Sequence, residues 1–456
     1  MNDERPRMSF TPILAHWMWK AAAALARYTH GSAWRSLVTP PGSRRQHLAR
    51  GLVRHLMEVG ATRGGYPLAD VLGRVEGSKG AVIFLPSIGW NVNLVQRPHH
   101  LARAFARSGY VVIFDSTNVR DDVRGFEEIE PNLFLFCGPA SWLRRVPDPV
   151  LWTFPYNYHE ALKYPRPSTV IYDWIDDLAV FTDYDAGLIR RNHERAVAEA
   201  DVMAAVARTL HARASARRAD AIYVPNAVED ALFGAEDLPV PDDPAVLRLR
   251  GEGKPIAGYY GALARWFDYE LVEETARQRP DWNFLLIGPE YDGSLRRASL
   301  LGRSNVAWIG PRPYPTLPGY LGLFDVATIP FRLNPITMAT SPLKLYEYFA
   351  GGRPVIATAM SECVAHGEVD VVATAEEFAT ALDPARSRGR DPAQRTRLRA
   401  VAAANSWTAR VRQIETAMAS RAARPARADA SRGHSPPGVP LVADQRAESC
   451  TSPNSE

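Results

Sequence analysis

Lys344 and Glu347 stand three residues apart in TSPLKLYEYFAGGRPVIAT (340–358), which puts both on one face of a helix. Ser341 suits an N-cap and Pro342 a first helical position, so a helix is predicted over 342–350. Free N–H groups and the positive dipole end make a helix start a ready anion site. Lys344 adds a point charge one turn in. A phosphate on the helix start and a Glu347 carboxylate accepting ribose hydroxyls would together hold a nucleotide. An ordinary surface ion pair fits the same spacing, and both readings stand at this point.

Other groups sit where strands end. Gly261 closes PIAGYYG (255–261), where a glycine lets the backbone approach a phosphate, and Arg265 follows in the loop. Arg265 and Lys344 should face one cleft, where together they could neutralise a diphosphate without a metal; a solvated surface arginine is the other reading. Asp173, Asp176 and Asp177 lie at the carboxyl end of TVIYDW (169–174). Carboxylates there contact sugar hydroxyls or orient an acceptor; equally, they cap the following turn. They make a poor metal site, since no His stands at ligand spacing. Arg97, His99 and His100 open a helix at the mouth of the first strand. Adjacent histidines face different ways, so one at most is expected to reach a cleft. Trp90 stacks on a sugar or anchors its loop.

The elements that position these residues alternate strand and helix from about 78 to 420. Strands are predicted at 80–87, 110–115, 150–154, 169–174, 202–206 and 221–225, then at 255–261, 282–288, 305–310, 325–331 and 353–358. Helices are predicted from Pro98 to before Gly109 and at 185–200, 268–279 and 342–350. The Pro/Asp-rich EDLPVPDDP (236–244) reads as a linker. The fold class is α/β, with two doubly wound Rossmann-like domains, 78–240 and 241–420, facing a central cleft where ligands bind at strand carboxyl ends.

Composition agrees with a globular chain: 456 residues, 46% hydrophobic and 23% charged. Cys137, Cys363 and Cys450 are too few and too scattered for a disulfide framework or a zinc knuckle, which fits a reducing, cytoplasmic compartment. No apolar run reaches the roughly 18 residues of a membrane span. The charge is uneven. Residues 1–77 hold 11 Lys and Arg against five Asp and Glu, so the net +4 of the whole chain belongs to this segment. Nucleic-acid binding calls for a basic stripe on the folded domains, and is not expected. Leu14, Trp17, Met18, Ala21, Leu25 and Tyr28 share a helical face opposite His16, Lys20 and Arg27; 46–59 repeats the pattern. This helical N-terminal extension reads as a peripheral contact with an anionic membrane or as a face packed on the first domain. The tail 421–456 has no aromatic residue and reads as disordered.

Taken together, WNVNLVQRPHHLARAFARSGY (90–110), VIYDWIDDLAVF (170–181), YVPNAVEDALF (223–233), YYGALARWFDYEL (259–271), RPDWNFLLIGP (279–289) and SPLKLYEYFAGGRPVIAT (341–358) resemble the retaining GT-B glycosyltransferases of family 4, the group 1 superfamily. The likeness is greatest to members acting in bacterial exopolysaccharide, teichuronic-acid and cell-surface glycan assembly, and runs over about 80–418. It implies a nucleoside-diphosphate sugar donor bound mainly by the second domain, with no other cofactor and no metal. Glu347, Lys344, Arg265, Gly261, Ser341 and Leu343 are the donor residues it implies. It favours Asp177, then Asp176, on the acceptor side; His99 and Arg97, from their place at the mouth of the first strand, are expected to touch acceptor or phosphate. The family's Glu-x7-Glu signature would begin at Ala339, where its first Glu is missing; Thr340 or Ser341 is left to supply a hydroxyl. The final helix, from NSWTARVRQIE (405–415), is expected to return to the first domain. A sugar-nucleotide epimerase or a non-catalytic scaffold of the same fold would use the same donor site.

Overall fold

The computed structural model describes residues 66–422, apart from residues 93, 117–120, 122, 166, 236–238 and 240. The amphipathic stretches at 14–28 and 46–59 and the tail beyond 422 lie outside the described residues.

The first sheet is built from β1 (Ala81–Phe84), β2 (Val111–Asp115), β3 (Gly125–Glu130), β4 (Leu133–Cys137), β5 (Val150–Thr153), β6 (Thr169–Trp174), β7 (Val202–Ala205) and β8 (Ile222–Tyr223). Their order is β3-β4-β2-β1-β5-β6-β7-β8. All neighbours are parallel except β3 with β4. The second sheet is built from β9 (Ile256–Tyr260), β10 (Asn283–Ile287), β11 (Val306–Trp308), β12 (Val326–Ile329), β13 (Val355–Thr358) and β14 (Val369–Val372). Its order is β11-β10-β9-β12-β13-β14, parallel throughout.

Each sheet reverses its winding once, between β1 and β5 and between β9 and β12. The carboxyl ends of those strands therefore open onto crevices, and the candidate residues follow them in sequence. Runs such as AVIF and NFLLI are buried along their whole length because helices cover both faces.

The predicted strands form, β6 over the residues expected and the others trimmed by a residue or more. β3, β4 and β14 are additions. The helix Leu68–Glu76 buries Val71 and Val75 against β1, β2 and β4, and Tyr66 bridges Phe126 on β3. The first domain thus begins before residue 77, not after it. At the other end, the helix Trp407–Ala422 places Trp407, Val411 and Ile414 in one cluster with Leu101, Phe105 and Trp152. The last helix completes the core of the first domain. No described helix is long and apolar enough to cross a membrane.

Candidate active site

On the second domain, two glycines meet at the ends of β9 and β10. Gly261 has φ +138° and Gly288 φ +139°, a region that side chains rarely adopt. Their approach is close: a Cβ on Gly288 would lie 1.9 Å from the Gly261 carbonyl oxygen. A Cβ on Gly261 would lie 3.0 Å from Lys344 Cε and 3.0 Å from the Tyr259 hydroxyl. Gly261 and Lys344 are thus adjacent.

The helix runs Leu343–Ala350, one residue later than expected, with Pro342 in the N-cap place and no side-chain cap bond. Lys344 is its second residue rather than one turn in. The ammonium sits 4.9 Å from the Phe331 ring centre and 5.3 Å from that of Tyr259. Burial pulls its pKa down to about 8. It has no hydrogen bond or ion pair among the described residues. An ammonium held on aromatic faces beside the Gly261 backbone, without a paired carboxylate, is equipped for an anion.

Glu347 is not the open, cleft-facing carboxylate expected of it. It is buried, and its Oε1 accepts a hydrogen bond of 2.7 Å from the Tyr314 hydroxyl. Burial pushes its pKa up to about 7, against the opposing pull of Tyr314, Tyr260 and Lys344. Tyr314 was missed because it lies between prolines in a turn, where no periodicity marks it. Ser341 also departs from expectation. Its hydroxyl accepts from the Asn226 backbone N–H at 3.1 Å, and its carbonyl accepts from Asn226 Nδ2 at 2.7 Å. Ser341 therefore joins the two domains instead of capping the helix. Thr340 donates to the Ile336 carbonyl at 2.9 Å, so both substitute hydroxyls already have partners. Ala339 is buried in an apolar cluster with the first-domain residues Trp174, Val206 and Leu210, a place that would desolvate a carboxylate. Leu343 packs partly on the first-domain core. Arg265 is exposed; its backbone N–H donates to Asp292, and its side chain has no ion pair among the described residues.

The first-domain carboxylates separate into three roles. Asp173 is fully buried and takes a two-pronged ion pair from Arg97, at 2.8 and 3.0 Å, plus a bond from Trp152 Nε1 at 3.2 Å. Arg97 also reaches the Pro225 carbonyl at 3.3 Å, so it is a structural cation and not a free phosphate contact. Asp177 caps the turn Leu178–Val180 through the Ala179 N–H and pairs with Arg213 at 2.9 Å. The cap reading fits its geometry. Asp176 alone has no hydrogen bond or ion pair among the described residues. Burial first, then its neighbours Asp173 and Asp177, push its pKa up to about 7. Of the three carboxylates it is the one left without such a partner among the described residues.

His99 is also spent on structure. Nδ1 accepts from the Gln96 N–H at 3.0 Å and Nε2 lies 2.9 Å from the Gly89 carbonyl. Those bonds require a neutral ring protonated on Nε2, and burial holds its pKa down at about 4. The loop it grips is held again by Asp121, which accepts from the Trp90 and Asn91 N–H groups at 2.7 Å each. Trp90 packs on His99 and Phe114 beneath Arg103, which makes it an anchor.

Residues 255–385 match the family model of glycosyl transferases group 1. That match lies within the second domain. Over 263 residues the chain is 28% identical to the Bacillus subtilis (strain 168) protein TuaH, named as a teichuronic acid biosynthesis glycosyltransferase. That match covers 54% of this chain and 65% of TuaH, just under two thirds of the relative's length. Among solved structures, sucrose-phosphate synthase from Thermosynechococcus elongatus is similar over 74% of this chain and 97% of its own, with TM-score 0.55 and 18% identity. The Anabaena protein HepE in complex with UDP is similar over 75% of this chain and all of its own, with TM-score 0.55 and 14% identity. Trehalose-6-phosphate synthase OtsA matches over 74% and 98%, with TM-score 0.54 and 11% identity. The shared fold is GT-B.

Proposed function

We propose that this chain is a retaining, metal-independent glycosyltransferase. It moves a sugar from a nucleoside-diphosphate donor to a glycan or lipid-linked acceptor in bacterial cell-surface polysaccharide synthesis. The observation that carries this is the unpaired Lys344 ammonium against Gly261, one helical turn from Glu347. A diphosphate fits beside the ammonium and glycine backbones, and ribose hydroxyls fit the carboxylate. The Anabaena neighbour of the same fold has been captured with UDP and with UDP-glucose, and TuaH's name points to the polysaccharide setting.

In this reading Lys344 and the start of the 343–350 helix stabilise the charge that grows on the departing diphosphate. Arg265 reaches in from the loop after β9. The acceptor enters from the first domain, where Asp176 is free to take its hydroxyls. The leaving phosphate receives the acceptor proton, so no side chain is needed as a base. Because the phosphate side offers the Lys344 cation and the start of the 343–350 helix, charge neutralisation needs no metal.

The test is sugar transfer by the full chain with a panel of nucleoside-diphosphate sugars and a lipid-linked acceptor. Glu347→Gln keeps an oxygen for Tyr314 and should fold, yet kcat/KM should fall at least tenfold, the scale of a lost bond to a charged group. Activity should survive EDTA. Conversion of the donor without any acceptor would replace transfer by epimerisation. Activity lost on chelation and restored by magnesium or manganese would overturn metal independence.

The basic segment before the first domain is assigned to the anionic inner face of the plasma membrane, which keeps the enzyme cytoplasmic and peripheral. The helix Leu68–Glu76 belongs to the folded domain, so the truncation to make removes residues 1–65. Full-length protein should pellet with anionic vesicles and the truncated one should not; equal pelleting would refute the assignment.

A further inference from the structure

Glu347 is held by a residue from a separate part of the second domain. Tyr314 stands on the short turn Tyr314–Thr316, between β11 and β12, and donates its hydroxyl to Glu347 Oε1. Its ring is wedged between two others. His100, on the first-domain helix Arg97–Arg107, lies 5.2 Å away centre to centre. Phe233, on the chain between the sheets, lies 5.5 Å away and edge-on. His100 is itself fixed, stacked on Trp407 at 5.0 Å and with Nδ1 3.4 Å from Glu229. The hydroxyl that occupies Oε1 is therefore seated by the first domain, the crossover and the last helix together.

We propose that Tyr314 is a positioning residue for the donor: its hydroxyl fixes Glu347 Oε1 and so aims Oε2 at the ribose hydroxyls. The proposal rests on the donor reading above. A carboxylate with one oxygen anchored has lost the rotation that would otherwise spoil a paired bond to two vicinal hydroxyls. The groups acting on Glu347 are Tyr314, Tyr260, Lys344 and Glu229. Burial raises its pKa, the two tyrosines and Lys344 lower it, and Glu229 raises it. Loss of the Tyr314 hydroxyl must therefore raise it further, leaving less ionised carboxylate at neutral pH.

The experiment is calorimetric titration of the full chain with the best bound of uridine, guanosine, adenosine and cytidine diphosphate, and with its 2′,3′-dideoxy counterpart. Wild type should prefer the ribose form by about tenfold or more. Tyr314→Phe, with an unfolding midpoint near wild type, should lose most of that preference while binding the dideoxy form unchanged. The preference, a ratio in which the titration of Lys344 cancels, should recover at higher pH in the variant than in wild type. Added to Glu347→Gln, Tyr314→Phe should cost little more. An unchanged preference with an unchanged pH profile, or additive losses in the double variant, would overturn the positioning role and leave the donor reading standing. No binding of any of the four diphosphates by wild type would overturn both.

Discussion

Lys344→Ala should weaken the binding of a nucleoside diphosphate by about 1.5–3 kcal/mol, the range for hydrogen bonds to charged groups. Binding of the free nucleoside should fall much less, because the ammonium acts on the Glu347 carboxylate only through space. The effect carries its own pH signature. Burial brings the Lys344 pKa down to about 8. The charged form dominates below that pH, so wild-type affinity should decline as pH rises through it. In Lys344→Ala that alkaline decline should vanish. Calorimetry with nucleoside and diphosphate at pH 7 and 9 reads both effects. Equal losses for nucleoside and diphosphate would remove the ammonium from the phosphate site.

Gly288→Ala should be the most damaging single methyl in the donor domain. The residue has φ +139°, and the added Cβ would stand 1.9 Å from the Gly261 oxygen, a backbone atom with no rotamer to escape into. A forbidden backbone region and a main-chain collision together should cost roughly 3 kcal/mol or more. Any relief must move Gly261 and with it the surface that faces Lys344, so diphosphate affinity should fall in whatever fraction folds. Gly310→Ala is the control. Its φ is +73° with nothing within 4 Å of a Cβ, so it should cost only about 1 kcal/mol. Thermal unfolding midpoints that drop equally in the two variants would show that the collision has no energetic weight.

Most of the parallel strands were legible because burial on both faces writes them as unbroken apolar runs, such as VVIF in β2 and NFLLI in β10; β4 has such a run, LFLFC, and was still missed. β3 escaped because it is the antiparallel edge of its sheet and carries three glutamates, Glu127, Glu128 and Glu130. β14 escaped as another edge strand, with Asp370 inside it. At the site, strand-end geometry marked Gly261 and the helix-start pattern marked Lys344, but their contact was not read from either. The Arg97–Asp173 pair could not, since its members are 76 residues apart and no local pattern links them. The same holds for Tyr314 and Glu347, 33 residues apart. Asp176 and Asp177 are neighbours with opposite fates, decided by which one meets a backbone N–H and an arginine.

The return of the last helix to the first domain has a mechanical consequence. The chain passes between the domains twice, once after β8 and again where the helix Pro392–Ala404 gives way to Trp407–Ala422. The two passages touch: the Val228 N–H donates to the Asn405 carbonyl at 3.1 Å, and the Trp407 N–H donates to the Val228 carbonyl at 3.2 Å. Arg410 adds a bond to the Pro225 carbonyl at 3.0 Å. Two straps pinned side by side define an axis, whereas one strap would leave a swivel. Opening of the cleft is expected to pivot where the two passages meet, at Val228 and Ser406. A break in either strap leaves the halves tied by the other.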